Sequence, residues 1–155
     1  DIEGENDLAR MHALNAAVHA LVDYKPGVTD MTTTAEETAT RHVGVCQDFT
    51  HLFIAAARQM GLPARYVVGY LYNETSSEPA SHAWAETFID GLGWIGFDPV
   101  HEVCPAEHHI RMMSGFDAPD AAPIRGTMLP GSSEEMEIAV EIGPTGQSQS
   151  QSQSS

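Results

Sequence analysis

The sequence has few cations: seven Lys and Arg stand against 22 Asp and Glu, for a formal net charge of −15. Such a balance repels phosphate backbones and anionic lipid surfaces, which argues against nucleic acid and membrane as partners. It suits a solvated acidic surface and leaves room for a cationic partner. Cysteine is scarce as well. The two thiols in 155 residues, Cys46 and Cys104, are too few for a disulfide-stapled secreted scaffold, so reduced thiols are expected. Also missing are a basic, apolar leader and any apolar run near the roughly 20 residues that span a bilayer. The expectation is a soluble, cytoplasmic chain whose signal peptide is absent or already removed. What is present is 42% apolar residues over a length that fits one compact domain.

Leu8, Met11, Leu14, Val18, Leu21 and Val22 recur at helical spacing after Asp7, a candidate N-cap, and Lys25-Pro26-Gly27 stops the run. Thr34 with Glu37 three residues later predicts a capping box and a short helix over about 35–42. Gly44 then breaks the chain, and Phe49, Leu52, Phe53, Ala56, Ala57 and Met60 form one apolar face that ends at Gly61 and Pro63. Cys46 therefore falls near a helix start.

Arg65 to Tyr72 reads as a strand and residues 73–79 as a polar loop. His82 to Ile89 and Trp94 to Phe97 flank Asp90-Gly91-Leu92-Gly93, which is hairpin chemistry. Ile138 to Ile142 suggests a late strand. The core is assigned to 5–143, and the Gln/Ser tail at 144–155 lacks the apolar groups that offset ordering entropy.

A thiolate is the attacking species in cysteine chemistry, and the unpaired amides at a helix N-terminus favour an anion. A small buried core cysteine is the ordinary alternative for Cys46. A nucleophilic Cys needs a base, and the base needs an acceptor that orients it. His82 and Asp98, on opposite arms of the expected hairpin, supply both types. A four-residue loop pairing Ile89 with Trp94 would turn Asp98 away from His82. A loop of three or five residues sets Asp98 opposite Trp84, diagonal to His82 on one face, so an odd loop or a bulge is expected.

GVCQDFTHL, SHAWAE and WIGFDP resemble the Cys, His and Asp blocks of transglutaminase-like cysteine enzymes, with the bacterial branch the most similar. HHIRMMSGFDAPDAAPIRGTM is similar to the segment after the Asp block in that branch, so the resemblance covers roughly residues 8 to 130. It implies a papain-like α+β core with N-terminal helices, the nucleophile at a helix start and an antiparallel sheet beneath. By it, Cys46 is the nucleophile, His82 the general base and acid, and Asp98 the residue that orients His82. The implied activity is that of a cysteine protease or amide hydrolase, acting through a thioester on peptide bonds or glutamine amides of a protein or peptide substrate. A cross-linking transglutaminase that passes the acyl group to an amine, and an inactive binding module on the same fold, are the alternatives. No cofactor or metal is required.

Trp84 would share the face of His82, either walling a substrate channel or simply buried, and Gln47 is a candidate to point toward the cleft. Asp48 complements the helix dipole, His51 reads as structural, and Arg41 and His42 as surface. The backbone amide of Cys46 is a candidate oxyanion donor. The stretch HEVCPAEHH, with His101, Cys104, His108 and His109, is not a feature of the resemblance. It offers soft ligands but matches no standard zinc spacing, and an exposed His-rich loop is expected.

Overall fold

A computed structural model describes residues 2–72 and 80–122. The first helix, α1 (Asp7–Leu21), starts one residue earlier than expected: the N-cap is Asn6, whose side-chain oxygen accepts the Ala9 amide at 2.9 Å. Asp7 is the first helical residue instead and pairs with Arg10 at 2.8 Å. Both residue types cap well, and the chain takes the one that leaves the acid in the first turn. Met11, Leu14 and Val18 form the buried face.

A two-residue strand, β1 (Asp23–Tyr24), leads to α2 (Ala35–Arg41). The capping box is present: the Thr34 hydroxyl accepts the Glu37 amide at 3.2 Å, and the Glu37 carboxylate accepts the Thr34 amide at 2.9 Å. The next strand, β2 (Val43–Gly44), pairs in parallel with β1, Tyr24 facing Gly44. Then comes α3 (Cys46–Gln59), which buries Phe49, Phe53, Ile54 and Ala57 and ends before Gly61 in the left-handed region, at φ 86°.

Four strands come next: β3 (Ala64–Leu71), β4 (Ala80–Ile89), β5 (Gly93–Phe97) and β6 (His109–Gly115). They form one antiparallel sheet in the order β5-β4-β3-β6. The helix α3 lies on β4 and β3, and α1 lies against α3. Between helices and sheet, Phe53 stacks on Phe97 with ring centroids 5.4 Å apart, and both are fully buried. This is a mixed α+β fold with a helical layer on an antiparallel sheet, as expected.

Two details of the sheet set the site. Ile89 pairs with Gly93, so the β4–β5 connection has three residues, 90–92, one of the odd lengths that bring Asp98 onto the face of His82. The ladder runs to Ala85 opposite Phe97, and continuing its register one step would set Trp84 opposite Asp98, whose own bridge is to Val103. The strand β6 has no counterpart among the elements expected from the sequence. It joins β3 through a register shift between Val68 and Gly69. A Cβ at Gly69 would run into the Ile110 carbonyl oxygen and lie 2.8 Å from the Trp84 ring, so only glycine lets the two strands close at this point.

The expected loop at 73–79, the strand at 138–142, the end of the core at 143 and the tail at 144–155 lie outside the described residues. Among the described residues no helix is long and apolar enough to cross a membrane.

Candidate active site

The start of α3 is built by an unusual cap. Val45 is the N-cap and has no side-chain oxygen to offer. Asp48, three residues on and fully buried, accepts the Val45 amide at 2.7 Å and the Thr29 hydroxyl at 2.6 Å on the same carboxylate oxygen. Its bond thus spans the turn that carries Cys46. A Cβ on Gly44 would sit 2.6 Å from the Asp48 Cβ, which explains the glycine in GVCQD. The Thr50 hydroxyl donates to the Cys46 carbonyl at 2.7 Å. Cys46, half-buried, is left as the first residue of the helix, with its amide at the end that lacks intrahelical acceptors.

On the facing sheet His82 lies on β4 and is buried, and its Nε2 is 2.7 Å from Asp98 Oδ2. The Cys46 thiol lies near enough to the ring to bear on its titration. With Nε2 engaged by Asp98, Nδ1 is the nitrogen that remains for the thiol. Burial works against protonation of His82, but the hydrogen bonds and charges of Asp98 and Cys46 outweigh it and hold the pKa up at about 9. Burial likewise works against the Asp98 carboxylate, and the bonds from His82, His109 and His101 with the His82 charge overcome it, so its pKa is lowered. Asp98 Oδ1 is tied down separately by the Val100 amide at 3.0 Å.

HEVCPAEHH is the expected exposed loop over most of its length and departs from it at His109, which opens β6 and turns its ring inward. His101 Nδ1 lies 2.7 Å and His109 Nε2 3.0 Å from the same Asp98 Oδ2 that His82 uses. The side chain of His109 is 8% exposed, whereas that of His101 is 47% exposed, so one ring is part of the interior and the other of the surface. Cys104 and His108 do not join them: Cys104 is exposed, and His108 sits near Glu107 at 3.8 Å. No sequence periodicity points to His101 and His109. The available signal is the number of imidazoles within eleven residues of Asp98.

Gln47 donates from its side-chain amide to the Asp30 carbonyl at 3.3 Å, which ties α3 to the segment before α2. Trp84 is 2% exposed and so belongs to the interior. It stacks on His82 with centroids 6.2 Å apart and meets His109 edge-on at 5.3 Å. Tyr24, not singled out in the sequence, pairs with Gly44 two residues before the thiol, and burial first, then the charge of Cys46, raises its phenol.

His82, Asp98 and His109 bring three potential metal-ligand atoms within 4.8 Å of one another. The proton positions do not fit a metal. His109 Nδ1 accepts the Ala106 amide at 3.3 Å, and an imidazole that accepts at Nδ1 carries its proton at Nε2, the atom that faces Asp98. A metal ligand needs that lone pair free.

Residues 2–99 match the transglutaminase-like superfamily, and the chain belongs to that family. An uncharacterised Mycobacterium leprae protein is 35% identical over 127 residues, covering 78% of this chain and 45% of its own length. The chain thus spans less than half of that curated relative. A protein-glutamine gamma-glutamyltransferase of Pseudomonas aeruginosa is 32% identical over 72 residues, covering 40% of this chain and 10% of its own. Among solved structures, a candidate cysteine protease from Cytophaga hutchinsonii superposes with a TM-score of 0.70 at 38% identity, over 77% of this chain and 40% of that one. Calcium-bound LapG of Legionella pneumophila, at 14% identity and a TM-score of 0.57 over 76% of this chain and 70% of its own, shares the fold.

Proposed function

We propose that this chain is a thiol acyl-transfer enzyme of the hydrolytic kind, acting on peptide bonds or glutamine side-chain amides. One observation carries the reading: the buried His82 ring is bonded to the Asp98 carboxylate through Nε2 at 2.7 Å, on the strand against which the helix opened by Cys46 is packed. Cys46 Sγ attacks the carbonyl carbon, forming the S–C bond while the carbonyl electron pair moves onto oxygen, where the Cys46 amide stabilises the charge. The intermediate collapses, the C–N bond breaks, and the leaving nitrogen takes the proton that His82 holds. Water then gives a proton to His82 and its oxygen attacks the thioester, and the carboxylic acid leaves as the Cys46 thiolate is restored. Asp98 keeps the imidazole oriented and stabilises its charged form throughout.

If an amine arrives in place of water, the same steps cross-link. Hydrolysis takes precedence because the likeness to the Cytophaga candidate protease spans 77% of the chain, against 40% for the glutamyltransferase. A binding module that merely keeps the fold has no use for an oriented imidazole beside a thiol. The test is iodoacetamide labelling with peptide mapping across a pH series, comparing Cys46 with Cys104 in the wild type and in His82→Ala. Fast labelling of Cys46 near pH 6 that is lost in the variant supports the enzyme, after which Cys46→Ala must abolish release of ammonia or peptide from casein and glutamine peptides. Equal, slow labelling of both thiols would leave the binding module.

A further inference from the structure

We propose that His109 is a positioning residue of this site: its ring, held in one tautomer by the Ala106 amide, donates Nε2–H to Asp98 Oδ2 and fixes the oxygen that serves His82. The kinetic consequence rests on the acyl-transfer reading above, whereas the geometry does not. Asp98 Oδ2 has three imidazole nitrogens around it, from His82 at 2.7 Å, His101 at 2.7 Å and His109 at 3.0 Å. A carboxylate oxygen has two lone pairs, so three donors cannot all lie along them at once. One of the three must be the exchangeable partner.

The surroundings decide which. His101 is about half exposed and stands on a turn just after Asp98, free to swing toward solvent. His109 is fixed on every side. Its Nδ1 accepts from Ala106, its own amide donates to the Ala106 carbonyl at 2.9 Å, and Trp84 meets the ring at an interplanar angle of 86°. Its backbone is paired with Leu71 on β3, and the side-chain-free Gly69 lets the neighbouring Ile110 carbonyl approach. The tautomer is set by these contacts: an amide hydrogen pointing at Nδ1 requires a lone pair there, which puts the ring proton on Nε2, directed at Asp98. His82 and His109 are therefore the standing pair of donors. Without His109, Oδ2 loses its one rigid tether outside the His82 ring, and the Val100 amide on Oδ1 is left to hold the plane of the carboxylate.

The deciding measurement is long-range ¹H–¹⁵N correlation on the whole chain labelled with ¹⁵N-histidine, at neutral pH. A His109 ring protonated at Nε2 with a bare Nδ1 supports the proposal. A ring protonated at Nδ1, alone or together with Nε2, overturns it. The second measurement is the rate of Cys46 alkylation in His109→Phe, which keeps a ring against Trp84 but donates nothing, and in His109→Gln, which restores a donor at similar reach. Phe should slow Cys46 by on the order of 10-fold, the loss of one hydrogen bond to a charged group, and Gln should recover most of it. Wild-type rates in Phe, or equal damage in both variants, would reduce His109 to packing. If Phe or Gln does not fold, the wild-type spectrum still decides. If wild-type Cys46 labels no faster than Cys104, the acyl-transfer reading falls while the tautomer assignment stands on its own spectrum.

Discussion

Gly44 and Asp48 interlock: the place a Cβ would take on Gly44 is 2.6 Å from the Asp48 Cβ and 2.9 Å from the carboxylate oxygen that holds the Val45 amide. Gly44→Ala must therefore push Asp48 away from the cap of α3. The expected cost is about 1–3 kcal/mol of stability by urea denaturation, as for overpacking in general. Because Cys46 is the next residue but one, its alkylation rate should fall in the same variant. Unchanged values for both would show that Asp48 does not set the helix start.

Asp98→Asn should be damaging in two separable ways. The group is fully buried and its Oδ2 faces three imidazoles, so losing the charge strips the buried pair with His82 of its partner. Breaking such a pair costs roughly 3–5 kcal/mol, which thermal and urea denaturation would register. Turnover should fall by on the order of a hundred-fold or more, since the imidazole loses the acceptor that orients it. A variant with normal stability and near-normal turnover would refute the role given to Asp98.

The linkage between protons and stability has a definite sign here. His82 titrates at about 9 in the folded chain, above the ordinary value of about 6.5, so its contribution is complete below about pH 6.5 and is lost as the pH rises toward 9. The lowered pKa of Asp98 adds stability that is present above about pH 4 and is lost in stronger acid. Urea denaturation at about pH 5.5 and about pH 9.5 should show wild type losing more stability toward alkali than His82→Phe does. Parallel losses in the two proteins would mean that the imidazole holds no extra proton.

Gly69→Ala tests the reach of β6. The new methyl would meet the Ile110 carbonyl and the Trp84 ring, forcing β6 away from β3 next to His109. A loss of about 1–3 kcal/mol is expected, together with slower Cys46 alkylation. A destabilised protein whose Cys46 reacts at the wild-type rate would disconnect β6 from the chemistry.

Much of this is legible in local signals. The apolar spacing from Phe49 to Ala57 specifies α3, Thr34 and Glu37 specify the start of α2, and the turn residues after Ile89 are compatible with a register in which Asp98 faces Trp84. These features depend on neighbours close in the chain, where periodicity and turn chemistry act. The strand β6 and the roles of His101 and His109 are not legible. The segment between Asp98 and His109 has no alternation, and its shape comes from the Asp98–Val103 backbone bridge and from pairing with β3 some forty residues earlier. Asn6 in place of Asp7 as the cap of α1 is a choice between two competent neighbours.

The thiol and its imidazole partner come from different layers: Cys46 opens a helix, and His82 stands on a strand that is complete only after β5 has folded back on it. If the proposed acyl-transfer chemistry is right, a chain synthesised from its N-terminus exposes the sulfur well before the ring that would arm it exists. On that reading, half-made or partly unfolded molecules would carry an ordinary cysteine and the reactive one would appear only when the two layers close, so that closure of the fold would itself be the arming step.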